Sequence, residues 1–338
     1  MTMHATLVSG PIGPDTIDIP GEPTQLRNAV QGLRGLCRQI EQASNQLKQA
    51  NPSDSDRGRI VLALSGAAQR TGRVLDADSQ QLDSLADAID HAADVLTSSQ
   101  GGVDDLRRRW RSSRDAFRDA LHGHKNAPDN VEALIHRIDS DASESHEGQF
   151  KQQAGLTFAN VGGGGARPDA MLLEEDGAVD QAITAYRHDV RSIVDEFAEL
   201  MQKTKNADNQ LDEKLPRHSS AALSEVEHDG GSGPDHHTIS GPGAVRSIGE
   251  ELGQGAHTIE QASQRLEDIR LAIRAGRMLP DDDRVGSNDG FKRDWTEHFD
   301  KLKHSLTAAR RAADGAADRL RDADENGAAD VRQALRDD

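Results

Sequence analysis

Two stretches near the C-terminus decide the fold: VRSIGEELGQGAHTIEQASQRLEDIRLAI (245–273) and FKRDWTEHFDKLKHSLTAARRAADGAADRL (291–320). In the first, the apolar positions are Val245, Ile248, Leu252, Ile259, Ala262, Leu266, Ile269 and Ile273. In the second they are Phe291, Trp295, Phe299, Leu302, Leu306, Ala309, Ala313, Ala316 and Leu320. Steps of three and four, sustained this long, describe one apolar stripe on a helix or a coiled-coil seam. Such a stripe has to be covered, and the nearest cover is the other helix. Residues 242–336 therefore read as an antiparallel helical hairpin.

A related helix lies near the N-terminus. Its stripe is Leu26, Ala29, Leu33, Leu36, Ile40, Ala43 and Leu47, and Pro23 opens it at a position where the missing N–H costs nothing. Residues 23–48 align without a gap on 242–267, an offset of 242 − 23 = 219, with nine identities that include the run Ile40–Ser44 against Ile259–Ser263. A second helix follows, with Leu64, Ala68, Leu75, Leu82, Leu85, Ile89, Ala92 and Leu96, and HAADVL (91–96) echoes GAADRL (315–320). An internal duplication of a hairpin, 23–100 and 242–336, is the expectation. Between the two, 103–139 reads as a helical extension and 176–215 as a long helix. The remaining segments are a poorly ordered arm (1–22) and flexible linkers (140–175 and 217–241). Gly101 and Gly102 mark an expected kink or break after the first hairpin.

Composition fits an all-α, elongated architecture of helical hairpins. Of 338 residues only 35% are hydrophobic and 3% aromatic, too few for one large globular core but enough for narrow seams lined by leucine and alanine. The net charge of −18 argues against nucleic acid and against anionic membrane surfaces as partners. Cys37 is the single cysteine, so no intrachain disulfide forms. No stretch reaches the roughly 18 apolar residues of a membrane span, and the first residues lack the basic and apolar regions of a secretory signal peptide.

Chemistry-bearing patterns are sparse. The run Gly162–Gly165 lacks the Lys-Ser/Thr of a phosphate cradle. His228, Asp235, His236 and His237, like His122 and His124, lack the spacing that presents two metal ligands on one helix face. No catalytic residue, cofactor site or metal site is expected, and no enzymatic activity.

The C-terminal hairpin, with a tryptophan in DWTEHF (294–299) and the tail LRDADENGAADV (320–331), resembles the WXG-type substrates of type VII (ESX) secretion in actinobacteria and related Gram-positive bacteria. Those proteins are antiparallel helical hairpins with Trp-x-Gly at the turn and Tyr-x-x-x-Asp/Glu after the second helix. Here Thr296-Glu297 stand in place of x-Gly, Leu320 occupies the tyrosine position, and Asp324 and Glu325 stand at and after the acidic one. The stretches PTQLRNAVQGLRGLCRQIEQASNQL and LDSLADAIDHAADVL are similar to the helical delivery domains of larger type VII substrates. The resemblance implies Trp295 as a hairpin-turn tryptophan and Leu320, Asp324 and Glu325 as an export tail. It implies release from the cell by a signal-peptide-independent route. It also implies a helical protein partner, such as a WXG-type protein or a secretion component, or self-association. A cytoplasmic coiled-coil adaptor is the alternative reading, and an activity within 103–240 a third.

Overall fold

The computed structural model describes residues 13–50, 59–124, 130–144, 177–215, 241–278 and 282–337. The described residues form six α-helices and no strand: α1 Pro23–Gln49, α2 Arg59–Leu121, α3 Val131–Glu144, α4 Gly177–Lys214, α5 Pro242–Gly276 and α6 Asp282–Asp337. Pro23 and Pro242 stand at the first positions of α1 and α5, as expected. Asn130 caps α3, its Oδ1 accepting from Ala133 N at 3.0 Å. The two linkers' central parts, with Gly162–Gly165, His228, Asp235, His236 and His237, lie outside the described residues.

The chain divides into two units that do not follow sequence order. One takes residues from Gln25–Asp90, Asp212–Arg274 and Asp282–Asp338, the other from Met1–Thr24, His91–Leu211 and Ala275–Asp281. The helix α2 contributes to both.

In the first unit, α1 and α2 run antiparallel. As α1 advances through Arg34, Glu41 and Lys48, its partners on α2 recede through Asp87, Ser79 and Asp76. The helices α5 and α6 do the same, pairing Arg246 with Asp318, Glu260 with Lys303 and Glu267 with Lys292. The two hairpins meet along α1 and α5. A Cβ on Gly32 would stand 2.8 Å from Ile269, and one on Gly255 would stand 3.1 Å from Leu47. The result is a four-helix arrangement. Its interior holds the expected stripe residues, among them Leu33, Leu36, Ile40, Leu75, Leu82, Leu252, Leu266, Phe291 and Phe299. Each such side chain contributes about 1.5–3 kcal/mol on burial. Glu41 bonds Ser79 and Glu260 bonds Lys303, with offsets of 260 − 41 = 219 and 303 − 79 = 224. These are the offsets that align the helices in sequence.

Four boundaries differ from the sequence reading. α2 is helical through Gly101 and Gly102, so no break separates 23–100 from the extension at 103. A Cβ on Gly102 would stand 2.8 Å from Leu200 Cδ1, so the glycine admits α4 to α2, and that packing outweighs about 1 kcal/mol of lost helix propensity. α3 continues to Glu144, into the segment read as linker. Residues 13–22 are packed rather than loose, with Ile17 and Ile19 at 2% and 1% exposure. Trp295 is not at the hairpin turn: it lies 295 − 282 = 13 residues into α6, because the helix already begins at Asp282.

Trp295 is fully buried instead, its ring centroid 5.4 Å from that of Phe299 and 6.5 Å from that of Phe291. It stands on α6 between the Lys292–Glu267 and Lys303–Glu260 pairs, which brings it level with buried Leu266 on α5. Trp295→Ala is expected to lower stability by about 3–5 kcal/mol, measured by urea unfolding.

Candidate functional site

The residues implied as an export tail lie on α6 where α5 no longer accompanies it. Arg246, near the start of α5, pairs with Asp318, and α5 begins four residues before Arg246. Beyond that level residues 321–329 are all exposed, Asp324 and Glu325 among them, while Leu320 is half-buried. Leu320 and Asp324 are four apart on one helix face. Trp295 is 320 − 295 = 25 residues back along the same helix, about 37 Å at about 1.5 Å per residue, so it and the tail do not form one site. His122 and His124 are exposed, and no group of potential metal ligands occurs among the described residues.

The sequence reading passed over a second set of groups, the buried aspartates. Asp78 stands between Leu75 and Leu82 on the α2 stripe, and its Oδ2 lies 2.7 Å from Nε2 of His298 on α6. The His298 ring meets Trp295 edge-on at 5.9 Å. In the other unit Asp139 of α3, 1% exposed, gathers three donors. Trp110 Nε1 donates to Oδ1 at 3.1 Å, the Tyr186 hydroxyl to the same oxygen at 2.7 Å, and Arg114 Nη2 to Oδ2 at 2.5 Å. Burial, followed by the charge of Asp139, pushes the Tyr186 phenol well above its ordinary value. Phe117 stacks on the Tyr186 ring at 4.8 Å. Asp208 of α4 accepts from Arg277 Nε at 2.8 Å, both groups being buried.

These three acids share a signal that was present in the sequence. Each is in helical register with buried apolar residues: 75–78–82, 135–139–142 and 201–208–211. An ionised carboxylate in such a position is tolerated only with hydrogen-bonding partners. The arginines of α2 from Arg107 to Arg118 are likewise engaged. Arg107 pairs with Asp18 and Asp104, Arg108 with Asp105, and Arg109 with Glu196. Arg111 pairs with Asp15, Arg114 with Asp139, and Arg118 with Asp115 and Glu132. Arg109, Arg114 and Arg118 thus join α2 to α4 and α3, while Arg107 and Arg111 reach residues 13–22.

Fold and site together define an all-α helical-bundle protein whose seams carry buried acid–donor pairs. Compared with protein-family models, curated proteins and solved structures, the chain matches none of them.

Two measurements test the polar pairs. His298→Ala leaves the Asp78 carboxylate buried without its imidazole and is expected to cost about 3–5 kcal/mol in urea unfolding, whereas His298→Leu combined with Asp78→Leu recovers most of it. At the α5–α6 surface, hydrogen bonds from Arg270 and Lys292 hold the Glu267 carboxyl down to about 2 from an ordinary 4.5. A lowered folded-state value means the stabilisation is complete above about pH 4.5 and is lost as pH falls toward 2. The melting temperature should fall through that window, and less steeply in Glu267→Gln.

Proposed function

We propose that this chain is a non-enzymatic helical-bundle protein that acts through helix–helix association with a protein partner, in the manner of the type VII secretion substrates it resembles. The observation that carries the reading is the exposed end of α6. Residues 321–329 offer a helical, acidic surface that neither α5 nor any other described element covers. A signal read by a secretion component has to be accessible, and Asp324 and Glu325 are. Leu320 is half-buried at the edge of the bundle, so its apolar contact and the Asp324 charge are offered on one face. The shared register of the Glu41–Ser79 and Glu260–Lys303 contacts supports two hairpins derived from one by duplication. On this reading the protein leaves the cell by a type VII route, and its partner is helical.

The test is export from a host with a type VII system, with and without its secretion ATPase. The chain is expected in the culture filtrate only when the ATPase is present. Asp324→Ala with Glu325→Ala removes charge from an exposed helix end and leaves the bundle intact. It should cut export at least about tenfold, roughly the effect of 1.4 kcal/mol in recognition, with unchanged circular dichroism. Undiminished export of the double variant would overturn the role of the tail. Retention of the wild-type chain in the cytosol would favour the adaptor reading.

A further inference from the structure

Residues 13–22 lie along one face of α2 as a strap. After a turn in which Thr16 and Ile17 amides donate to Gly13 O, the segment has no secondary structure, and its partners recede along α2 as it advances. Asp15 pairs with Arg111 at 2.6 Å. Ile17 O accepts from Arg107 Nη2 at 2.6 Å and Nε at 3.1 Å. Ile19 O and Gly21 O accept from Gln100 Nε2 at 3.1 and 3.0 Å. From Ile17 to Gly21, four extended steps cover about 13 Å, comparable with the roughly 16 Å of α2 between Arg107 and Leu96, the residue against Gly21.

The strap alternates. Ile17 and Ile19 are buried, while Asp18 and Pro20 are exposed, and Asp18 meets Arg107 at 3.2 Å. Two long side chains of α2 thus hold backbone carbonyls while the face beneath takes every second side chain. Folded domains bind extended peptides in this way: main-chain hydrogen bonds supply affinity, and pockets for alternate residues supply selectivity. The strap's φ of +122° at Gly21 lets the chain turn off this face just before α1 begins at Pro23.

We propose that this face of α2 is a docking groove for an extended segment of a partner protein, and that residues 13–22 are its occupant within the same chain. The fitting pattern is acidic, any residue, apolar, acidic, apolar, as in Asp15–Ile19. Arg111 and Arg107 select the acids, and a partner segment enters by displacing the strap. The proposal goes beyond the export reading and does not depend on it.

The test uses the full chain and a fluorescent peptide of residues 13–22. Ile17→Ser with Ile19→Ser vacates the groove while leaving Arg107 and Gln100 in place. Because a tethered strap competes at an effective concentration of order mM, the peptide should bind this variant at least about tenfold tighter than wild type in anisotropy titrations. A peptide with serine at both isoleucine positions should not bind, and adding Arg107→Ala to the variant should weaken the authentic peptide. Equal, weak binding to variant and wild type would overturn the proposal. So would a complex between the variant and unlabelled wild-type chain as tight as that with the peptide, which would make a second copy the occupant. A measurement on wild type covers a variant that fails to fold. The Ile17 and Glu22 amides, which donate to Gly13 O and Gly276 O, should exchange hydrogen at least about tenfold faster than those of residues 100–111. Exchange in step with α2 would mean the strap opens only with the unit and would refute a displaceable occupant.

Discussion

The structure depends on carboxylates placed where leucines would serve for burial alone. Asp78, Asp139 and Asp208 each sit in an apolar stripe and each meets a donor from another part of the chain. A seam of leucine and alanine repeating every three or four residues is nearly degenerate under a shift of one heptad, since apolar surface is covered either way. A buried carboxylate removes that degeneracy. Any slip strands it, and an uncompensated buried charge costs several kcal/mol. Net stability and specificity are separable here: the stripes supply the burial, and the acids decide which alignment collects it.

Close helix approach is the complementary device. With 3% aromatic residues the chain has few large side chains to fill wide spaces, so the spaces are kept narrow. Gly32 lies against Ile269, Gly102 against Leu200, and Gly249 against Ala313. Omitting a Cβ at these crossings lets a neighbouring aliphatic side chain supply the packing that a bulky residue supplies elsewhere. Among the described residues the large rings are Phe291, Trp295 and Phe299 in one unit and Trp110, Phe117, Tyr186 and Phe197 in the other.

What was legible in the sequence is what local periodicity controls. The helices, their stripe residues and the proline starts of α1 and α5 follow from spacing and from the geometry of a first helical turn. What was not legible depends on partners distant in sequence. The glycines at 101–102 look like a break until Leu200 is placed beside them. The composition of the arm hides the Ile17–Asp18–Ile19 alternation, which has meaning only against Arg107 and Gln100. The depth of Trp295 within its helix depends on α6 starting at Asp282, in an acidic stretch without an apolar stripe. Discontinuous units made from interleaved segments cannot be read from composition at all. For the candidate tail, the sequence carried the residues but not their exposure.

The distribution of the two tryptophans gives each unit its own reporter. Trp110 and Trp295 are both fully buried, one in each unit. Their immediate neighbours differ: Trp110 donates to a carboxylate, whereas Trp295 lies edge-on to an imidazole. The two indoles therefore emit from chemically distinct surroundings. A chain retaining only one of them is a natural optical probe of the body that holds it, and comparing the two would reveal whether the bodies melt as one or separately.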